Sequence, residues 1–134
     1  MENLILDLTP YVGEVKTLVE SSTKKTIVLN KENIEELKID KNKRFLYIFL
    51  VDEKPVYVGK NDGSGLVGRL RQHSEGAAAS VGTKHKQIEK ERAAGNDVKF
   101  CIIELCEIEL VSLIIERVLI RVLKPDWNDP NSKL

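Results

Sequence analysis

Two cysteines are all the thiol chemistry that the 134-residue chain offers. Cys101 and Cys106 stand five apart in one apolar segment, without the CxxC spacing of a zinc or dithiol site, so both read as reduced core residues. Long apolar runs are also lacking. The stretches near 45–51 and 110–115 fall far short of a bilayer crossing, and no membrane partner is expected. The opening MENLILDLTP has no basic segment leading into an apolar stretch and a cleavage site, which makes the cytoplasm the expected location. Walker, GxGxxG, GxSxG and HExxH patterns are missing, and with them any support for nucleotide-dependent, serine-hydrolase or zinc-enzyme chemistry. Net charge is missing as well: 21 basic side chains balance 21 acidic ones, which at first argues against a polyanionic partner.

The distribution of that charge argues the other way. Residues 41–92 hold 11 basic and 6 acidic side chains, whereas residues 1–40 hold 5 and 8, and residues 93–134 hold 5 and 7. A hydrophobic content of 42% with 31% charged residues suits a globular chain of this length with a single core. No repeat or Gly/Ser/Pro-rich linker divides it, although residues 1–40 read as a separate layer on the same domain. That layer has a helix starting at Thr9-Pro10 with Val12, Val15, Leu18 and Val19 at helical spacing, then a short strand TIVL at 26–29. A brief helix, KENIEELK, follows with Asn30 as its cap.

From residue 41 onward, RFLYIFLV (44–51) and VYVGK (56–60) read as a hairpin joined by DEKP, and SGLVGRLRQHS as a helix buried through Leu66 and Leu70. EGAAASVG reads as a loop, TKHKQIEKERAAG as a polar helix stopping at Gly95, and VKFCIIELC (98–106) as a third strand. IELVSLIIERVLIRVL is a long apolar helix ended by Pro125. The expected fold is α+β: a small three-stranded, mainly antiparallel sheet flanked by helices, over 41–134, behind the N-terminal extension.

Chemistry-bearing residues stand out against this frame, each with a bland explanation beside it. Tyr47 and Tyr57 could merely fill the sheet. Because side chains alternate, the two rings share a face only with an odd hairpin loop or a bulge, and one of these is expected. Arg69 and His73, at i and i+4, could be a solvated helix face or a phosphate clamp with Lys60 as a third cation. Glu116 is the only acid between Glu109 and Asp126 in its apolar helix. A buried carboxylate must meet a cation, either a structural arginine such as Arg69 or a hard metal ion that takes few carboxylates. Asn128, in KPDWN, could be a turn residue. His85 reads as a surface residue and Trp127 as a core one.

Taken in order, Tyr47 in LYI, Tyr57 in YVG followed by Lys60, Arg69, His73, Glu116 and Asn128 resemble the GIY-YIG nuclease family over residues 44–128. The ten-residue tyrosine spacing, the Arg with a His four later, and a glutamate in an apolar helix ahead of an asparagine all coincide. Phe45-Leu46-Tyr47 lacks the leading glycine of the first motif, and the NDGSG stretch leaves Arg71 as an alternative to Arg69, which the spacing to His73 favours. The resemblance implies a metal-dependent DNA endonuclease. Tyr47 would be its general base, Tyr57 would orient the water or phosphate or share in the base chemistry, and Arg69 would stabilise the phosphate. His73 would assist proton transfer, Glu116 would hold one Mg²⁺ (or Mn²⁺), and Asn128 would orient the glutamate or the substrate. Lys60, Arg69, Arg71 and Asn128 would contact phosphate or DNA. Specificity would come from the extension, from residues 74–96, from a homodimer or from a partner protein. The alternatives are an inactive nucleic-acid- or protein-binding module of the same fold, and an interaction protein in which Glu116 and Arg69 pair.

Overall fold

The computed structural model of the chain describes residues 25–76, 83–105 and 109–128, the side chains of 109–113 excepted. The helix expected after Thr9, residue Cys106 and most of the 74–83 loop lie outside the described residues. Among those described, the order is β1 (Ile27–Val28), α1 (Lys31–Glu35), β2 (Arg44–Val51), β3 (Lys54–Asp62), α2 (Leu66–Glu75), α3 (His85–Ala93), β4 (Val98–Leu105) and α4 (Glu109–Leu123). The fold is α+β, with an antiparallel sheet in the order β1-β4-β2-β3.

That sheet has four strands rather than the expected three. Ile27 and Val28 pair with Phe100 and Lys99, and the Leu29 N–H donates to the Val98 carbonyl at 2.8 Å. The reason is the outer edge of β4, whose backbone groups need partners that the extended TIVL segment supplies. Asn30 then caps α1 as expected, its Oδ1 accepting from the Asn33 N–H at 2.8 Å.

β2 is buried from Phe45 to Leu50 because helices cover both faces of the sheet. Alternation sends Leu46, Ile48 and Leu50 to one layer, with Val58, Cys101, Ile103, Leu105 and, from α4, Val118 and Leu119. Phe45, Tyr47 and Phe49 go to the other, with Phe100, Leu66 and Leu70 of α2, Ile88 of α3 and Ile34 of α1. Full burial of each such side chain contributes about 1.5–3 kcal/mol. Burial also pushes the Cys101 thiol up to about 11, as befits an inert core cysteine.

The hairpin is tighter than DEKP suggests. Only Asp52 and Glu53 turn, both with positive φ (50° and 64°), the pattern of a two-residue turn that matches strand twist. Such an even loop alone would separate the two tyrosines. A bulge corrects it: Phe49 faces Tyr57 while Leu50 faces Pro55, leaving Val56 as the extra residue. Tyr47 and Tyr57 thus share one face, as expected.

β3 forms one edge of the sheet. Pro125 ends α4, and the segment beyond it runs along that edge, with the Trp127 N–H donating to the Val56 carbonyl at 2.7 Å. Trp127 is partly buried against the second layer. Among the described residues, no helix is long and apolar enough to cross a membrane.

Candidate active site

A concavity of ≈ 400 Å³ opens at the β3 edge, where the two layers meet. From the sheet come Tyr47, Tyr57 and Gly59 with Lys60; α2 supplies Arg69, α4 supplies Glu116 and Arg117, and the terminal segment supplies Asn128. The structure therefore brings together Tyr47, Tyr57, Lys60, Arg69, Glu116 and Asn128. It does not bring Arg71, which is exposed on α2 away from the lining, or His73, which lies beneath it.

Tyr47 reaches the concavity by lying across its cross-strand partner, Gly59. A Cβ at Gly59 would stand 2.3 Å from the Tyr47 ring carbon Cζ, so only glycine leaves room for the ring. The YVG sequence carried this signal, an aromatic residue packed over a glycine in the opposite strand.

His73 is fully buried and not part of a solvated face with Arg69. The reason is helical periodicity: Leu66, Leu70 and His73 recur at i, i+4 and i+7 on the inward face of α2. Burial, reinforced by the charges of Arg69 and Lys84, depresses its pKa to about 3, so the ring is neutral near pH 7. The Lys84 backbone N–H donates to Nδ1 at 2.9 Å, which leaves the ring proton on Nε2. Nε2–H therefore donates to the Tyr47 hydroxyl oxygen at 3.0 Å. Tyr47 keeps its own proton, and its hydroxyl beside Tyr57 favours the Tyr57 phenolate. The result is a directed chain from the Lys84 backbone, just ahead of α3, through His73 to the Tyr47 hydroxyl, with the Tyr57 ring beside it. Ring centroids of 5.7 Å for Tyr47–His73 and 6.1 Å for Tyr47–Tyr57, with Phe49 packed against all three, hold it in register.

Each of the two hydroxyls is pulled both ways, with burial prevailing. Burial and the neighbouring Tyr57 raise the Tyr47 hydroxyl well above the ordinary phenol value, while the charge and hydrogen bond of Arg69 pull it down. Burial also raises Tyr57, against Arg69 and the hydrogen bond from Tyr47. Lys84 Nζ sits 5.3 Å from the Tyr57 ring centroid, a further cation on that ring's face.

Glu116 is mostly buried yet faces the concavity. Desolvation raises its pKa, partly offset by Lys60 and Arg117. Lys60 Nζ approaches Glu116 Oε1 at 3.9 Å, with 39% and 18% of the two side chains exposed. Arg117, which sequence reasoning missed, is recoverable as the neighbour of Glu116 on the exposed side of the helix. Among the described residues, no three His, Cys, Asp or Glu side chains gather to hold a metal ion. A site at Glu116 would have one carboxylate, a donor set that suits Mg²⁺, which keeps several waters and takes the rest of its ligands from phosphate.

Asn128 is committed elsewhere. Its Oδ1 accepts from the Val58 N–H at 2.8 Å and its Nδ2 donates to the Val58 carbonyl at 3.0 Å. The amide closes the β3 edge as a strand would, so what it orients is β3 beside Tyr57 and Gly59.

Two polar residues off the site were not foreseen. Arg92 donates to the Ser74 carbonyl (2.7 Å), to Ser74 Oγ (2.9 Å) and to the Leu29 carbonyl (2.8 Å), tying α3 to the end of α2 and to β1. His85, expected at the surface, is half-buried and donates from Nδ1 to the His73 carbonyl at 3.1 Å, which steadies the segment carrying Lys84. Comparisons with protein-family models, with curated proteins and with solved structures each returned no match.

Proposed function

We propose that the chain is a metal-dependent DNA endonuclease of the GIY-YIG type, hydrolysing a phosphodiester in the concavity at the β3 edge. The observation that carries this reading is the convergence of two tyrosines, Arg69, Lys60 and a desolvated glutamate on one open concave surface. A phosphate with an attacking water is a ligand that would use these groups together.

The direction of the His73–Tyr47 hydrogen bond supports Tyr57 rather than Tyr47 in the general-base role. Tyr47, held as a donor by the neutral His73, stabilises the Tyr57 phenolate, and Arg69 adds positive charge. Tyr57 takes the proton of the water that attacks phosphorus. Arg69 and Lys60 meet the negative charge that gathers on the phosphoryl oxygens. Glu116 would hold Mg²⁺ or Mn²⁺, exchanging its contact with Lys60 for the ion. When bound, the metal supplies phosphate polarisation and stabilisation of the leaving 3′ oxygen. His73, with a pKa near 3, acts by orienting Tyr47.

One observation favours a second reading. Burial raises both tyrosine hydroxyls, as it would in a module that keeps the fold and binds nucleic acid without cutting it. Supercoiled plasmid separates the two. The nuclease reading expects Mg²⁺-dependent nicking that a chelator abolishes and that Glu116→Gln reduces at least about 100-fold. Plasmid binding without cleavage under every metal tried would leave the binding module.

A further inference from the structure

The lining of the concavity contains more positive than negative charge, and the excess does not stop at its rim. Arg117 forms part of the wall. Arg121 follows it at i+4, one turn on along the same outer face of α4, and Lys124 stands at the position directly after the helix ends, so the three cations run from the wall of the concavity to the C-terminal end of α4. All three residues are exposed. None makes an ion pair or a side-chain hydrogen bond among the described residues, and the nearby Asp126 is taken by Lys54 at 3.2 Å.

Lys124 adds a separate observation. It ends α4 with φ 46°, and its N–H closes onto the Ile120 carbonyl at 3.0 Å. This left-handed terminal position is the one glycine adopts freely and a long side chain adopts at a cost. A lysine there gives up stability and keeps a cation at the end of the helix that carries Arg117 and Arg121.

We propose that the outer face of α4 is a docking strip for the sugar-phosphate backbone of duplex DNA, in which Arg121 and Lys124 hold the strand that continues from the phosphate in the concavity. The proposal rests on the nuclease reading for its choice of polyanion. Seven residues of helix rise about 10 Å, and one strand of duplex presents a phosphate about every 3.4 Å of axis, so the strip spans about three phosphates. A cation pair serving only the helix dipole would need neither a third cation in the wall of a concavity one turn away nor a left-handed lysine.

The test is fluorescence anisotropy of a fluorescein-labelled DNA duplex of arbitrary sequence, titrated with the full chain over a salt series with chelator present. Each lost phosphate contact lowers the log–log salt slope by about 0.9, so Arg121→Ala/Lys124→Ala is expected to lower it by nearly two units, whatever the DNA sequence. Lys86→Ala/Lys90→Ala, the same charge change on α3 across the sheet, is expected to keep the wild-type slope. Lys124→Gly relieves the left-handed conformation, so it should melt no lower than wild type while its slope falls by about one unit.

An unchanged slope in the α4 double variant, an equal loss in the α3 control, or no duplex binding by wild type overturns the strip. Plasmid cleavage separates the two proposals. A strip that behaves as expected on a chain that cuts nothing retires the nuclease reading alone. Cleavage with an unchanged slope retires the strip alone.

Discussion

The two faces of the sheet are filled with different chemistry. The layer under α4 is apolar throughout its buried cluster, from Leu46 and Ile48 to Val118 and Leu119. The layer under α2 and α3 has the same strands as its floor but contains Tyr47 and, beneath it, His73. An apolar layer tolerates repacking so long as volume is kept, whereas a buried polar group must be partnered or it costs free energy. Both ring nitrogens of His73 are accordingly used in fixed directions, Nδ1 accepting from the Lys84 N–H and Nε2–H donating to Tyr47. The site is thus half of each layer. One face contributes oriented hydroxyls, the other contributes a carboxylate from an apolar helix, and they meet around β3 at one edge of the sheet.

The largest effect should come from Phe49, whose ring lies between 5.1 and 5.6 Å from those of His73, Tyr47 and Tyr57. Phe49→Ala is expected to cost about 3–5 kcal/mol in urea denaturation, and to abolish site geometry along with stability. Leu119→Ala, on the apolar face, should cost about 2–5 kcal/mol while a conservative Leu119→Met costs under about 1.5. If Phe49→Leu proves as harmless as Leu119→Met, the two layers do not differ as described.

The pH dependence of stability sharpens the contrast. His73 has its folded pKa depressed from 6.5 to about 3, so the folded protein excludes a proton that the unfolded chain binds. Its stabilising contribution is complete above pH 6.5 and is lost as pH falls toward 3, at up to about 1.4 kcal/mol per pH unit. Wild type minus His73→Gln, followed by thermal melting from pH 7.5 to 4.5, should show that slope. Parallel curves would mean that His73 is not the buried neutral group of this layer.

Two glycines give the smallest and most local test. Gly59→Ala drives a methyl into the Tyr47 ring and should cost about 1–3 kcal/mol. Gly68→Ala, on α2 with nothing within 4 Å of its Cβ position, should instead stabilise by up to about 1 kcal/mol through helix propensity. Equal and opposite signs of that kind, read by denaturant midpoint, would locate the close approach at Tyr47. A neutral Gly59→Ala would remove it.

Much of this arrangement can be read from sequence, because it depends on local rules. Asn30 announces a cap, RFLYIFLV a central strand, and Pro125 a stop. The shared face of Tyr47 and Tyr57 follows from strand alternation once a bulge is allowed. Other features depend on distant partners and leave no local trace. Nothing in DEKP marks a turn at Asp52–Glu53, since neither residue is the usual glycine or asparagine, and TIVL joins the sheet only because β4 leaves an edge open. His73 was misread for a different reason: its i+4 relation to Arg69 suggested a polar face, while its i+7 and i+3 relations to Leu66 and Leu70 carried the buried one. Asn128 offers donors and acceptors to any partner, and only the geometry of the β3 edge shows that Val58 takes them.

The central claim is that the polar layer aims Tyr57 at a phosphodiester, and single-turnover cleavage of supercoiled plasmid in Mg²⁺ tests it most directly. Tyr57→Phe and Tyr47→Phe should be run beside wild type, each checked by thermal melting. Tyr57 is half-buried, so Tyr57→Phe should melt like wild type yet lose at least about 100-fold in rate, the lower range for a positioned general base. Tyr47→Phe should lose less, since it removes a donor to the base and leaves the base itself. Cleavage by Tyr57→Phe within a few-fold of wild type would contradict the account.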